Sequence, residues 1–94
     1  MDYRDYKVYC IKDIDVIATK EKSLDEIMNF YRKIFEEDVS INEIEEIKDR
    51  DDDFMLINEG TNYKEVTTYN KLIKEYIRIL DEDAEYLYLC SKEW

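Results

Sequence analysis

Ten carboxylates fall within the eighteen residues from Glu36 to Asp53, EEDVSINEIEEIKDRDDD, against two bases, Lys48 and Arg50, for a local charge of −8. The other 76 residues hold 15 acids and 12 bases, so the net charge of −11 is a regional property. Crowded carboxylates serve three kinds of chemistry. For metal binding, Asp49, Asp51 and Asp53 take positions 1, 3 and 5 of a calcium loop. The match then fails, because Phe54 stands where the loop needs glycine and Gly60 where it needs a bidentate glutamate. Acid–base catalysis needs two carboxylates across a substrate cleft, one with a raised pKa. A chain of 94 residues with its acids on an outer face has little room for one. Recognition is the third use: an anionic patch repels free nucleic acid and attracts basic grooves. A duplex carries one negative charge per ~1.7 Å of axis, and its binders place lysines and arginines on the phosphates. Carboxylates on a helix edge and loop can occupy such a groove and release the same counterions. Glu45, Glu46, Asp49, Asp51, Asp52 and Asp53 are the candidates for that contact. The plain alternative is a solvated face.

The absences narrow the choice. The chain has no histidine, so the usual general base and the commonest metal ligand are missing. With one glycine, Gly60, and no proline, neither a P-loop nor a dinucleotide-binding glycine pattern can be built. No enzyme activity, cofactor or metal is expected. Nine tyrosines combine a large apolar body with a polar tip, which suits strands and interfaces alike. Most should line the core or its rim. Tyr3 and Tyr9, off the buried face of the first strand, are the candidates for partner contact. Trp94 fits either a sheet edge or an exposed contact. Cys10 and Cys90, in strands at opposite ends of the chain, read as buried reduced thiols.

One domain over residues 1–94 must position these groups. From Tyr6 to Ala18 the even positions are apolar or aromatic except Lys12, the period of a strand with one buried face. Its length suggests a bulge or tight turn at Lys12-Asp13. Ser23-Leu24-Asp25-Glu26 is a capping box opening an amphipathic helix to about Glu37, with Leu24, Ile27, Met28, Tyr31, Ile34 and Phe35 on its stripe. Ser40-Ile41-Asn42-Glu43 repeats the box and predicts a shorter helix. Ile41, Ile44 and Ile47 would face inward, and the helix would end in Asp51-Asp52-Asp53. Phe54–Asn58 reads as a buried strand before a turn at Glu59-Gly60. Residues 61–68 suit either a capped helix start or extended backbone. A helix follows from about Tyr69 to Leu80, ended by Asp81-Glu82-Asp83, and a final strand carries Tyr86 to Cys90. The fold expected is α+β, in the order β-α-α-β-α-β, with helices on one face of a short sheet. Its core would draw on Val8, Ile14, Val16, Leu24, Ile27, Met28, Tyr31, Ile34, Leu56, Ile73, Ile77, Leu87 and Leu89.

The stretch IDVIATKEKSLDEIMNFYRKIF, a strand running into a capped helix, and the closing YLYLCSKEW resemble small phage-borne proteins. Small, acidic, histidine-free phage proteins include the anti-CRISPR and other anti-defence inhibitors. The resemblance is to the class, and it implies an inhibitor that presents acidic surface to a nucleic-acid-binding cleft. The partner it implies is a basic nucleic-acid-binding protein such as a CRISPR effector, with no direct binding of nucleic acid. The alternative is a structural module that oligomerises through a sheet edge, the strand Glu85 to Ser91. No stretch has the ~20 apolar residues of a membrane helix. MDYRDYKVYC carries acids where a signal peptide has positive charge, so the cytoplasm is the expected compartment.

Overall fold

The computed structural model describes residues 3–58, 63–80 and 84–91. The elements are β1 (Lys7–Ile11), β2 (Asp15–Thr19), α1 (Leu24–Phe35), β3 (Ile44–Ile47), β4 (Phe54–Asn58), β5 (Tyr63–Thr67), α2 (Tyr69–Leu80) and β6 (Tyr86–Ser91). Short 3₁₀ turns precede β1 and β3, at Tyr3–Asp5 and Ile41–Glu43. An antiparallel sheet of order β3-β1-β2-β6 forms the centre, and β4 pairs with β5 in a separate hairpin. The fold is α+β, with both helices packed against the four-stranded sheet.

The long alternating stretch is a hairpin. Lys12 and Asp13 both have positive φ, 56° and 58°, and the Ile14 N–H donates to the Ile11 carbonyl at 3.1 Å. This is the signature of a type I′ turn, made here without glycine. Three residues separate Ile11 from Asp15, so the register pairs Val8 with Ala18 and Cys10 with Val16. Even positions therefore keep one face through the turn, which is why the two strands read as one.

That face packs on α2. Tyr6, Val8, Cys10, Val16 and Ala18 bury against Tyr69, Leu72 and Ile73, joined by Leu87, Leu89 and Cys90. The odd positions form a second core: Tyr9, Ile11 and Ile17 bury against Ile27 and Tyr31 of α1, closed by Val39. The helices thus lie on opposite faces of the sheet, not on one face as the sequence suggested. Of the odd positions of β1 and β2, Tyr9, Ile11, Ile17 and Thr19 are buried, Asp15 is half-buried and Lys7 is exposed.

A sheet covered on both faces also corrects the second helix. After the Ile41–Glu43 turn the backbone becomes extended at Ile44, with φ −111° and ψ 119°. Ile44–Ile47 then pairs with β1 as an edge strand. Isoleucines three apart point to opposite faces of a strand. Ile44 joins the α1 core and Ile47 the α2 core. Spacing that resembled a helical stripe is what an edge strand between two cores requires.

Both long helices start as their sequences predict. At α1 the Glu26 N–H donates to Ser23 Oγ at 3.2 Å, and the Ser23 N–H to Glu26 Oε1 at 3.3 Å. The helix ends at Glu36 in the left-handed region, φ 56°, with its N–H on the Arg32 carbonyl. At α2, Thr68 is the cap, its Oγ1 accepting the Lys71 N–H at 3.1 Å. Of the expected core, Ile14 sits at the hairpin tip, Leu24 in the first turn of α1 and Ile34 beyond the sheet, and all three are exposed. Leu56, the Glu59-Gly60 turn, the Asp81–Asp83 helix end and Trp94 lie outside the residues and side chains described.

Cys10 and Cys90 are buried thiols, not joined in a disulfide. Each pairs with Val16 from opposite sides, so two strand spacings, about 9.5 Å, separate their backbones. That exceeds the Cα separation a disulfide spans.

Candidate functional acidic edge

Of the ten carboxylates, Glu36 is exposed at the end of α1, and the other nine fall into two groups. Glu37 pairs with Lys12 at 3.3 Å and Asp38 with Arg32 at 3.6 Å. Glu43 turns back to accept the Ser40 N–H at 3.1 Å. Asp51 accepts a hydrogen bond from the Asn70 amide in the first turn of α2, where the helix dipole also favours negative charge. Glu45, Glu46, Asp49, Asp52 and Asp53 remain exposed, and among the described residues none of them has an ion-pair partner.

These five occupy the β3 edge and the loop leading to β4. The sheet order makes β3 an outermost strand. Glu45 lies opposite Cys10 and Glu46 opposite Tyr9, so the two glutamates project from opposite faces of that edge. A single acidic helix face does not form. The carboxylates flank an extended strand and continue into the turn at Asp51 and Asp52.

Arg50 explains how so acidic a loop is held. Its guanidinium points inward and donates to the carbonyl of Tyr6 and, at 2.9 Å, to that of Tyr3. The Arg50 carbonyl accepts the Asn70 N–H at 3.3 Å. One side chain therefore joins the loop to the N-terminal turn, while its backbone joins it to α2. Arginine suits this because its planar fork offers several donors at once. The consequence is electrostatic as well: one of the segment's two bases is withdrawn from the acidic surface.

Bases gather elsewhere. Arg4, Lys7, Lys20 and Lys22 line a cleft of about 580 Å³ at the same end of the sheet, toward β2 and β6, together with Asp5, Glu21 and Glu85. Lys22 is anchored there to Glu85 at 2.9 Å, and that hydrogen bond raises its pKa. Acids thus dominate beside β3, whereas both signs meet beside β2 and β6.

The tyrosine candidates fare differently. Tyr9 is 6% exposed, packed in the α1 core, and burial followed by the nearby Glu46 carboxylate pushes its phenol up. It is therefore not a surface contact, because the odd face of β1 is covered by α1. Tyr3 is half-buried beneath the Lys74 ammonium, which sits 4.3 Å from its ring centroid. The aromatic surface lies on β6 instead. Tyr86 stacks on Phe30 with centroids 3.9 Å apart, and Tyr88 meets Phe35 at 5.8 Å. Tyr31 and Tyr88 donate to the two oxygens of Asp15, at 3.0 and 2.8 Å. Burial and then the Asp15 hydrogen bond push Tyr88 up to about 12 and raise Tyr31 further. The alternation of Tyr86 and Tyr88 signalled this surface, but a sheet assumed bare on one side hid which face they take.

Among the described residues no group of three or more histidine, cysteine or acidic side chains is placed to hold a metal ion. Among them, too, no helix is long and apolar enough to cross a membrane. Comparison with protein-family models, curated proteins and solved structures found no match.

Proposed function

We propose that the protein is a phage-derived cytoplasmic inhibitor that places its acidic edge in a basic nucleic-acid groove of a bacterial defence nuclease, such as a CRISPR effector. One observation carries the reading: five exposed carboxylates, without ion-pair partners among the described residues, line one sheet edge and its loop, while the neighbouring Arg50 is turned inward. An extended strand with glutamates on both faces offers charge to both walls of a groove. A rigid edge also loses little freedom on binding, which favours affinity.

Inhibition is competitive and needs no bond-making step. Carboxylates take positions that phosphates would occupy, and each lysine or arginine so engaged is lost to nucleic acid. Long-range attraction speeds encounter, so salt weakens binding mainly through the association rate. The test is displacement of a labelled duplex from purified CRISPR effector complexes, read by fluorescence polarisation at rising salt. Stoichiometric displacement that fades with salt supports the reading. Absence of displacement across the panel at low salt refutes it for this target class.

A further inference from the structure

We infer that the protein forms a homodimer by antiparallel pairing of β6 with β6 of a second copy, independently of what the acidic edge binds. β6 is the other outermost strand of the sheet. The Lys20 N–H donates to the Glu85 carbonyl at 3.0 Å, which fixes the phase of the ladder with β2. In an antiparallel ladder the groups alternate in direction. Leu87, opposite Ala18, therefore bonds inward, and the backbone N–H and C=O of Tyr86 and Tyr88 point outward. Among the described residues no strand pairs with that side.

Side chains favour the same occupant. The six residues YLYLCS carry no charge, in a chain of net charge −11. Edge strands normally deter pairing with charged residues, bulges or shortness. β3 shows two of these, being four residues long with two glutamates. β6 has one, a bulge near Leu89, and it falls after the Tyr86–Tyr88 stretch. Beside that stretch, Ile34 is 57% exposed and lies one turn beyond Phe30 on the same row of α1. Phe30 covers Tyr86 of the edge strand. The Phe30–Ile34 row thus overhangs the position that a fifth strand would take.

A second copy meets these requirements with no charged residue on either paired strand. A two-fold axis perpendicular to the sheet keeps α1 of both protomers on one face, so the exposed Ile34 and Tyr88 of each merge into one apolar patch. It also places the two β3 edges at opposite ends of an eight-stranded sheet, separating the acidic segments. A strand from an unrelated protein is the competing occupant.

The experiment measures mass and amide exchange on the full chain. Light scattering from about 1 μM to about 500 μM protomer should show a mass rising toward twice 11.5 kDa. The Tyr86 and Tyr88 amides should gain protection from hydrogen exchange over the same range. Tyr88→Lys and Ile34→Glu should each raise the dimer dissociation constant about tenfold or more, with helix content unchanged. Ile34→Glu lies on an exposed helical position, so it remains decisive should Tyr88→Lys impair folding. A monomer throughout overturns the inference, and so does a dimer that leaves the Tyr86 and Tyr88 amides unprotected. Protection that appears only with an added bacterial protein makes the edge a heterologous site and also overturns it.

Discussion

The two edges of the central sheet solve the same problem in opposite ways. β3 is short, carries Glu45 and Glu46, and continues into a loop bearing Asp49, Asp52 and Asp53. β6 is longer, uncharged, and supported by a row of aromatic rings. An acidic edge repels its own copy and invites a basic partner. A neutral aromatic edge does the reverse. The difference shows that surface charge here is organised by strand order, so a regional charge in the sequence becomes a directional property of the molecule.

The largest expected effect breaks the acidic side. Replacing Arg50 with methionine leaves the Tyr3 and Tyr6 carbonyls without their donor and frees the loop from the N-terminal turn. Hydrogen bonds from a charged donor are worth more than neutral ones, so urea unfolding should show a loss of about 3 kcal/mol. A loss below about 1 kcal/mol would show that the loop is held by other contacts.

On the β6 side the corresponding test is alkaline. Tyr69 and Tyr88 are pushed up to about 12, and Tyr9, Tyr31, Tyr76 and Tyr86 are raised as well, with burial the leading cause throughout. A phenol whose folded pKa exceeds the unfolded value of about 10 binds its proton more tightly when folded. Stability is therefore full below pH 10 and falls as pH climbs from about 10 toward 12 and beyond. Asp15→Asn should lower the Tyr88 pKa, read by tyrosinate absorbance, because a carboxylate acceptor is lost. An unchanged Tyr88 titration would separate that phenol from Asp15.

Much of this fold was legible in the residues. The Ser23 capping box and the α1 stripe place that helix, and the Tyr69 to Leu80 stripe gives α2 its bounds. The α+β class follows from them. The errors share one cause, the assumption of a sheet buried on one face. Under it Tyr9 counted as exposed, and the spacing of Ile41, Ile44 and Ile47 counted as helical. Tertiary burial, which a periodicity cannot report, settled each. The candidate acids were legible as a group. Their division was not, because the partners of Asp51 and Arg50 come from Asn70, Tyr3 and Tyr6, distant in sequence.

That division predicts a smaller effect within the acidic loop. Asp51→Asn should cost about 1 kcal/mol, since it loses a charged acceptor at the start of α2. Asp52→Asn and Asp53→Asn should change stability by less than about 0.5 kcal/mol, as exposed charges do. Equal effects at all three positions would remove the distinction between an anchoring carboxylate and free ones.

The proposal assigns the basic partner to the acidic edge and not to the aromatic one. It is tested by duplex displacement with two variants side by side. One replaces Glu45 and Glu46 with glutamine and Asp49, Asp52 and Asp53 with asparagine, keeping Asp51. The other is Tyr88→Lys, which leaves every β3 carboxylate in place. The neutralised variant should lose displacement by tenfold or more at low salt, chiefly through slower association, while Tyr88→Lys should displace as wild type per protomer. Wild-type displacement by the neutralised variant, together with loss in Tyr88→Lys, would rule out the acidic edge and assign binding to β6.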